Sequence, residues 1–126
     1  MQTVAGVIGL GAMGNGIAQT LRRAGYQVRV CDVRPQAAQA FAKDGGVACD
    51  SPSDLAAACD VVVSVVVNAQ QTEQVLFGAN GFAATMRAGS VFVMCSTVDP
   101  NWSIQLEKRL ADQGLLYIDA PISGGA

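Results

Sequence analysis

A chain of 126 residues is long enough for one domain with a buried core and too short for two. Apolar residues make up 51% of the sequence and charged residues 14%, a composition that excludes a disordered chain. The net charge of −2 argues against a nucleic-acid surface or a polybasic membrane surface, and no apolar run is long enough to span a bilayer.

The first half of the chain predicts three strands, each followed by a helix. Pro35 begins the second helix, and Ser51 is the predicted N-cap of the third. The first helix carries an apolar face formed by Met13, Ile17, Leu21 and Ala24. The predicted strands are 3–8, 26–31 and 47–49, and the predicted helices run from the glycines to Gly25, from 35 to about 43 and from 52 to about 59.

The second half continues this alternation of strand and helix. The run from Val61 to Val67 lacks a polar–apolar alternation, so both of its faces should be buried, as in a parallel sheet covered by helices. Asp99 is the predicted cap of the last helix, ahead of Pro100. The predicted strands are 61–67, 91–95 and 115–118, and the predicted helices are 70–77, a short helix at 82–87, and 100 to about 113.

Strands that alternate with helices through the whole chain indicate a single α/β domain over residues 1–126. Right-handed crossover connections leave few topologies, of which the strand order 3-2-1-4-5-6 is favoured. We therefore predict a doubly wound, mainly parallel six-stranded sheet of the Rossmann type, which is a dinucleotide-binding fold.

The turn after the first strand carries three glycines at the spacing GxGxxG, in the sequence Gly9-Leu10-Gly11-Ala12-Met13-Gly14. In dinucleotide-binding folds the first glycine allows a tight turn and the second lets the backbone approach the pyrophosphate. The third lets the new helix pack closely against the strand. The N-terminal amides of that helix then face the phosphate charge. We predict that residues 9–14 hold the pyrophosphate of a dinucleotide.

Asp32 follows the second strand, 18 residues after Gly14, close to the spacing expected for the acid that binds the adenosine ribose hydroxyls. A carboxylate there repels a 2′-phosphate, so NAD is favoured over NADP. The alternative is a solvated aspartate or a cap on the next helix. Arg34 could stack on adenine or reach a 2′-phosphate, and it keeps NADP open.

Polar residues also follow three later strands at their carboxyl ends, where open α/β sheets bind ligands. Asn68 comes after Val67, Thr97 follows the fifth strand, and Ser123-Gly124-Gly125 follow the sixth. Asn68 is explained equally well as a ligand contact and as a helix cap. For Thr97 a ligand contact is favoured, because Asp99 already serves as the cap.

Four cysteines are present, with no histidine and no CxxC spacing, so the sequence predicts no metal site. Each cysteine ends an apolar run, where a buried free thiol behaves as a small hydrophobic side chain. No positive charge precedes the first apolar stretch, as it would in a signal peptide. We expect reduced thiols and a cytoplasmic location. The cysteines are Cys31, Cys49, Cys59 and Cys95.

Three motifs together resemble the β-hydroxyacid dehydrogenase family, which includes 3-hydroxyisobutyrate dehydrogenase, tartronate semialdehyde reductase and 6-phosphogluconate dehydrogenase. They are the glycine motif at 9–14, Ser96-Thr97-Val98-Asp99-Pro100, and Asp119-Ala120-Pro121-Ile122-Ser123-Gly124-Gly125. The stretch 67–78 is most similar to the L-threonate dehydrogenase branch, which oxidises a four-carbon sugar acid.

The resemblance implies a role for each of these segments. The loop at 9–14 would hold the pyrophosphate, and Asp32 the ribose. Val67, Asn68 and Thr97 would lie along the nicotinamide half of the cofactor. The residues 123–125 would bind the carboxylate of a small hydroxyacid substrate. NAD would accept or donate the hydride. Because of the net charge, no nucleic-acid or membrane partner is expected.

The resemblance also implies a general acid/base lysine, in a helical substrate domain after Ala126. Lys43 and Lys108 do not match it and are predicted to be solvated helix residues. We therefore expect this chain to be the cofactor domain of a longer, homo-oligomeric enzyme, without turnover alone. Two alternatives remain: a stand-alone dinucleotide-binding or sensing module, and an imine reductase, whose NADP preference conflicts with Asp32.

Overall fold

The computed structural model describes residues 3–66, 68–78, 81–95 and 98–120. Among these residues the strands are β1 Val4–Ile8, β2 Gln27–Cys31, β3 Val47–Ala48, β4 Val61–Ser64, β5 Val91–Met94 and β6 Leu116–Asp119. The helices are α1 Ala12–Arg23, α2 Pro35–Lys43, α3 Pro52–Ala57, α4 Ala69–Phe77 and α5 Pro100–Ala111. No helix of the described residues is long and apolar enough to cross a membrane.

All six strands are parallel and form one sheet in the order β3-β2-β1-β4-β5-β6. This is the predicted doubly wound order, and the predicted fold class is confirmed. β1 lies at the centre, between β2 and β4, so the loops that follow these three strands leave the same edge of the sheet side by side. That edge is where the order of the strands reverses, the usual ligand site of such sheets.

The helix starts follow from local sequence. Pro35 stands at the first position of α2, where its missing N–H has no helical partner to lose. The Ser51 hydroxyl accepts a hydrogen bond from the Asp54 amide (3.2 Å), and the Asp99 carboxylate accepts one from the Asn101 amide (2.8 Å). These three predicted helix starts are confirmed.

Different helices pack on the two faces of the sheet. We call the face covered by α1 and α2 the α1 face, and the opposite face, covered by α3, α4 and α5, the α5 face. The α1 face buries Val7, Leu10, Ala18, Val28, Val30, Ala38, Phe41 and Val63. The α5 face buries Ile8, Leu55, Val62, Leu76, Phe82, Phe92, Met94, Leu106 and Leu110, with Trp102 packed against them.

Helix α1 meets the sheet through small residues. Gly14 and Ala18 are its buried positions, whereas Ile17 and Leu21 flank the contact and are half-buried. Ala24 is exposed, so its predicted place on the apolar face was wrong. The larger side chains cannot occupy the line of closest approach, because α1 lies directly on the turn that follows β1.

Two predicted elements differ in the structure. The strand predicted at 61–67 is shorter, because β4 ends at Ser64, and Val67 lies outside the described residues. Its neighbour β1 ends at the glycine turn, so the last ladder bond runs from the Val65 amide to the Ile8 carbonyl (2.8 Å). Beyond that bond there is no strand on this side to pair with.

The helix predicted at 82–87 is instead a series of turns. The amides of Phe82 and Ala83 donate to the carbonyls of Val75 and Leu76 (3.0 Å each), which belong to the last turns of α4. The segment therefore closes α4 and packs Phe82 into the core instead of starting a helix of its own.

All four cysteines are free thiols. Cys31, Cys59 and Cys95 are buried, and Cys49 is half-buried. Burial raises the pKa of Cys31 to about 11 and that of Cys59 to about 12. These two thiols therefore remain protonated at neutral pH and behave as apolar side chains, as predicted.

Candidate functional site

The carboxyl edge of the sheet brings together the predicted site residues that the structure describes. The glycine turn follows β1, Asp32 follows β2, and Asn68 begins α4 after β4. Five further predicted residues lie outside the described part of the chain: Val67, Thr97, Ser123, Gly124 and Gly125. Their roles stay predictions.

Two glycines of the turn are required by the fold itself. Gly9 has φ +95°, and a side chain there would overlap the Val65 carbonyl oxygen. A Cβ on Gly14 would overlap the Gly9 carbonyl oxygen. Both obstacles are backbone atoms, which cannot turn aside as a flexible side chain can. These two positions hold β1, α1 and the segment after β4 in close contact.

Gly11 is different, because the protein does not need a glycine there. Its backbone (φ −67°, ψ −171°) suits any residue, and a Cβ would meet no atom of the described residues within 4 Å, its two chain neighbours aside. The glycine therefore leaves room for something outside the chain. Gly11 is also the N-cap of α1, with no side-chain cap and no acidic residue in the first turn of the helix. An anionic group fits beside these uncapped amides.

The other residues of the motif shape this turn. Leu10 is buried in the core of the α1 face, Met13 is half-buried and Ala12 is exposed. The Gly9 amide donates to the Cys31 carbonyl (3.0 Å), which ties the turn to the end of β2. The pyrophosphate-binding role of residues 9–14 stays a prediction, and the space and the amides are suited to it.

Asp32 is held against the glycine turn. Its Oδ2 accepts a hydrogen bond from the Leu10 amide (2.5 Å), and its Oδ1 accepts from the amide and Nε of Arg34 (2.8 and 3.2 Å). The side chain of Asp32 is only 6% exposed, so it is not a solvated strand-end residue. It is also not the cap of α2, since Arg34 occupies that position. Its carboxylate is thereby bonded to the residue that precedes Gly11.

Sequence reasoning missed the bracing role of Arg34. Its side chain is 59% exposed, pairs with Asp32, and donates from Nη2 to the Leu10 carbonyl (3.3 Å). In the structure it therefore supports the carboxylate and the turn. The only signal in the sequence is an arginine two residues after the acid, which could not distinguish a brace from a phosphate ligand.

Burial alone would raise the pKa of Asp32, but the hydrogen bonds from Leu10 and Arg34 and the charge of Arg34 outweigh it and lower the pKa. A carboxylate with a lowered pKa stabilises the fold at pH values above its unfolded pKa, about 3.9, and this stabilisation is lost as the pH falls through the folded pKa.

We therefore predict that Asp32→Asn lowers the free energy of unfolding by an amount that is constant near neutral pH. This difference from the unsubstituted protein should become smaller below about pH 4. Urea titrations at a series of pH values measure it. Asp44→Asn, the same change at an exposed residue beyond α2, is the matched control. An Asp32→Asn difference that grows on acidification would contradict the assigned role.

Asn68 is the N-cap of α4. Its Oδ1 accepts a hydrogen bond from the Gln71 amide (2.9 Å), and its carbonyl accepts from the hydroxyl of Thr72 (3.0 Å). The capping role is confirmed. The residue is exposed at the carboxyl edge of the sheet, so the cap also fixes where its side-chain amide stands. A contact with cofactor stays a prediction.

A second polar contact that sequence reasoning missed lies at the end of β6. The buried Ser103 hydroxyl of α5 lies 2.8 Å from Asp119 Oδ2 and 2.7 Å from the Tyr117 hydroxyl. The Ala120 amide donates to the Met94 carbonyl (2.9 Å). Together these bonds fix the chain just before the predicted substrate motif. A serine inside a helix gives no sequence signal of such a contact.

Comparisons with known proteins agree with this geometry. A family model described as the NAD binding domain of 6-phosphogluconate dehydrogenase matches residues 4–126. The L-threonate dehydrogenase of Cupriavidus necator is 60% identical over 96% of this chain and 41% of its own length. The mitochondrial 3-hydroxyisobutyrate dehydrogenase of Rattus norvegicus is 36% identical over 98% of this chain and 37% of its own.

A solved structure is similar over the same region. The crystal structure of 3-hydroxyisobutyrate dehydrogenase from Salmonella typhimurium has a TM-score of 0.93 and 36% identity, and covers 98% of this chain and 43% of that chain. This chain thus spans about two fifths of the length of the relatives that it matches.

Proposed function

Because this chain belongs to the family described as the NAD binding domain of 6-phosphogluconate dehydrogenase, we propose that it is the cofactor domain of a longer hydroxyacid dehydrogenase. The expected resemblance to the β-hydroxyacid dehydrogenases is confirmed by the matches to L-threonate and 3-hydroxyisobutyrate dehydrogenases. The proposed substrate is a four-carbon sugar acid such as L-threonate, or an acid similar to 3-hydroxyisobutyrate. The 60% identity to an L-threonate dehydrogenase supports the first of these.

The observation that carries the proposal is the clear space at Gly11 beside a buried, braced carboxylate. Gly11 and the first amides of α1 would hold the pyrophosphate, with Leu10, Ala12 and Met13 shaping the turn. Asp32 would accept hydrogen bonds from the adenosine ribose hydroxyls. Arg34, the nearby donor that could bind a 2′-phosphate, is already paired with Asp32, which favours NAD over NADP.

The bound cofactor would supply a hydride acceptor for oxidation of a carbinol carbon. Val67, Asn68 and Thr97 would lie along its nicotinamide half, and Ser123, Gly124 and Gly125 would bind the substrate carboxylate. The contacts of Ser103 with Asp119 support this last assignment, since they fix the chain that leads into the motif.

The general acid/base is proposed to come from the remaining part of the longer protein. Lys43 is the last residue of α2, and Lys108 stands in the last turn of α5. Helices in such sheets run opposite to the strands, so both lysines lie toward the amino edge, away from the site. The sequence holds no histidine. We therefore expect this chain to bind cofactor without oxidising a hydroxyacid.

The longer enzyme is proposed to be a cytoplasmic homo-oligomer. Four free cysteines support a reducing compartment. The oligomer follows from the family resemblance alone.

Calorimetric titration with NAD⁺ and NADP⁺ tests the proposal. We expect NAD⁺ to bind about tenfold or more tightly than NADP⁺, a difference of about 1.4 kcal/mol or more. Asp32→Asn should reduce this difference in affinity, because it removes the charge that repels a 2′-phosphate. Asp44→Asn makes the same charge change at the opposite edge of the sheet and should leave the difference in affinity unchanged.

Equal or tighter binding of NADP⁺ would overturn the role given to Asp32 and favour the imine reductase alternative. Binding of neither cofactor would overturn the proposed function. Measurable hydroxyacid oxidation by this chain, free of longer enzyme, would contradict the assignment of the acid/base outside it.

A further inference from the structure

Two cysteines lie side by side at the carboxyl edge of the sheet. The ladder between β2 and β3 pairs Val30 with Ala48, and it continues with a hydrogen bond from the Cys49 amide to the Val30 carbonyl (2.8 Å). Cys31 and Cys49 are therefore the next two residues in register. Val30 is buried on the α1 face, so by alternation both thiols point to the α5 face, where Cys31 is buried and Cys49 packs against the core.

The spacing of this pair is compatible with a disulfide bond. Neighbouring strands lie about 4.8 Å apart, within the range of about 4.4–6.8 Å found for the Cα atoms of bonded cysteines. The Cβ atoms of a disulfide are closer, about 3.8 Å apart, so bond formation would draw the two segments together by roughly 1 Å. β3 is an edge strand of two residues and Cys49 lies just beyond it, which allows this movement.

Cys49 is the more accessible thiol of the pair and has a positive charge beside it. It is half-buried, whereas Cys31 is buried. Burial raises the pKa of Cys49, and the guanidinium of Arg29 opposes this rise. The Nε of Arg29 is itself buried and has no hydrogen-bond partner among the described residues. Partial exposure next to a positive charge is typical of cysteines that react as thiolates.

The third thiol on the α5 face is less well placed to react with Cys49. Cys59 follows α3 and is fully buried, and a Cβ added to Gly6 of β1 would lie 2.8 Å from its sulfur. Because β2 lies between β1 and β3, the width of one strand separates Cys59 from Cys49. Cys31 is the direct neighbour of Cys49 on the adjacent strand.

Cys31 connects this pair to the candidate cofactor site. Its carbonyl accepts the hydrogen bond from the Gly9 amide (3.0 Å) that ties the glycine turn to β2, and the residue after it is Asp32. A displacement of roughly 1 Å at Cys31 therefore moves both the turn and the carboxylate, and errors of this size in a binding site are costly.

We propose that Cys31 and Cys49 form a modification site for hydrogen peroxide, and that their disulfide lowers the affinity of this domain for NAD⁺. The effect on NAD⁺ rests on the proposed function, whereas formation of the bond does not. Disulfides of reducing compartments are usually transient and regulatory, and a bond that strains the backbone is readily reduced again.

The reaction takes place in two steps. The thiolate sulfur of Cys49 attacks one peroxide oxygen and the O–O bond breaks, which leaves a sulfenic acid on Cys49 and a hydroxide that is protonated to water. The sulfur of Cys31 then attacks the sulfur of Cys49, the S–O bond breaks, and the leaving hydroxide forms a second water with the proton of Cys31. The pair of thiols loses two electrons in all, and peroxide takes them up.

Treatment of the protein with hydrogen peroxide, followed by peptide mass mapping without reduction, tests the bond. Cleavage beside lysine, arginine and aspartate places the four cysteines on separate peptides. We expect the peptides of Cys31 and Cys49 to be joined with the loss of two hydrogen atoms, and dithiothreitol to separate them. Joining of Cys49 to Cys59, or no disulfide in the folded protein, would contradict the proposal.

Three variants assign the roles of the thiols. Cys49→Ser should abolish the disulfide, and Cys31→Ala should leave a sulfenic acid on Cys49 that dimedone traps. Cys95→Ala is the matched control, because it removes a buried thiol of the α1 face and should leave the disulfide unchanged. Trapping of the sulfenic acid on Cys31 in Cys49→Ser, with none on Cys49 in Cys31→Ala, would show that the proposed order of attack is wrong.

Calorimetric titration with NAD⁺ before and after oxidation tests the effect on the cofactor site. Oxidation should weaken binding by about tenfold or more, dithiothreitol should restore it, and Cys95→Ala should behave in the same way. Cys49→Ser should keep its affinity through the same treatment. Equal loss of affinity in Cys49→Ser would contradict the proposal, since oxidation at another residue would then be the cause.

The two measurements separate this inference from the proposed function. If the reduced protein binds NAD⁺ and the disulfide forms without a change in affinity, the regulatory effect is wrong. If the reduced protein does not bind NAD⁺, the proposed function fails, and peptide mapping still decides whether the disulfide forms.

Discussion

Replacing Gly14 with alanine should destabilise this domain by about 3 kcal/mol or more, because the new methyl group collides with a backbone atom. A Cβ there would overlap the Gly9 carbonyl oxygen. Gly9 cannot move away, since it packs against Val65 and its amide is bonded to Cys31. The helix would have to leave the sheet and expose the core around Ala18. Urea and thermal unfolding measure the effect, which corresponds to a melting temperature lower by roughly 10 °C.

Gly16→Ala is the matched control for this experiment. Gly16 lies two residues further along α1 and is exposed. Outside its own helix, a Cβ there would meet no atom of the described part of the chain within 4 Å. Alanine should therefore stabilise the helix by roughly 0.5–1 kcal/mol. If Gly14→Ala were as stable as Gly16→Ala, the close approach of α1 to the turn would be wrong.

Gly11→Ala should weaken NAD⁺ binding by about tenfold to a hundredfold, a loss of about 1.4–2.8 kcal/mol. The folded protein can accept this methyl group, because the described residues beyond its chain neighbours have no atom within 4 Å of it and the backbone conformation suits alanine. The loss of a glycine N-cap should cost at most about 1 kcal/mol of stability. The methyl group would instead occupy the space proposed for the pyrophosphate.

Calorimetry of Gly11→Ala and Gly16→Ala side by side checks this. Both changes add one methyl group at an exposed position clear of the protein, so a general effect of the substitution would appear in both. We expect only Gly11→Ala to lose affinity. Undiminished binding by Gly11→Ala would show that the cofactor does not approach the turn at this residue.

The fold was predictable because its signals are local and agree with one another. The run at Val61 lacks alternation, as a strand covered on both faces must, and Pro35, Ser51 and Asp99 mark helix starts through bonds within a few residues. The glycines and Asp32 are also readable in sequence, because their spacing reflects one β–α–β unit. From these elements the strand order follows with few alternatives.

The features that could not be predicted from the sequence depend on contacts between residues far apart in the chain. β4 ends at Ser64 because its neighbour β1 turns away, and the run of valines carries no sign of this. The segment 82–87 forms turns because the amides of Phe82 and Ala83 donate hydrogen bonds to carbonyls of α4. The bonds from the Leu10 amide to Asp32 and from Arg34 to the Leu10 carbonyl likewise join residues 22 and 24 positions apart in the chain. The exposure of Leu116 and Ile118 is not predicted either, because the sequence of β6 is typical of an ordinary buried strand.

The central position of β1 has a consequence for the order in which the chain folds. Among the described strands, β1 and β4 are the one neighbouring pair not consecutive in sequence, and the Val4 amide meets the Asp60 carboxylate 56 residues away. Closing so long a loop is costly in entropy, so the two halves, β1 to β3 and β4 to β6, should join late. The turn at Gly9 is completed by Val65 and so forms only at that step.

NAD⁺ should then slow unfolding while leaving the refolding rate unchanged. Faster refolding in the presence of cofactor would show that the turn forms early.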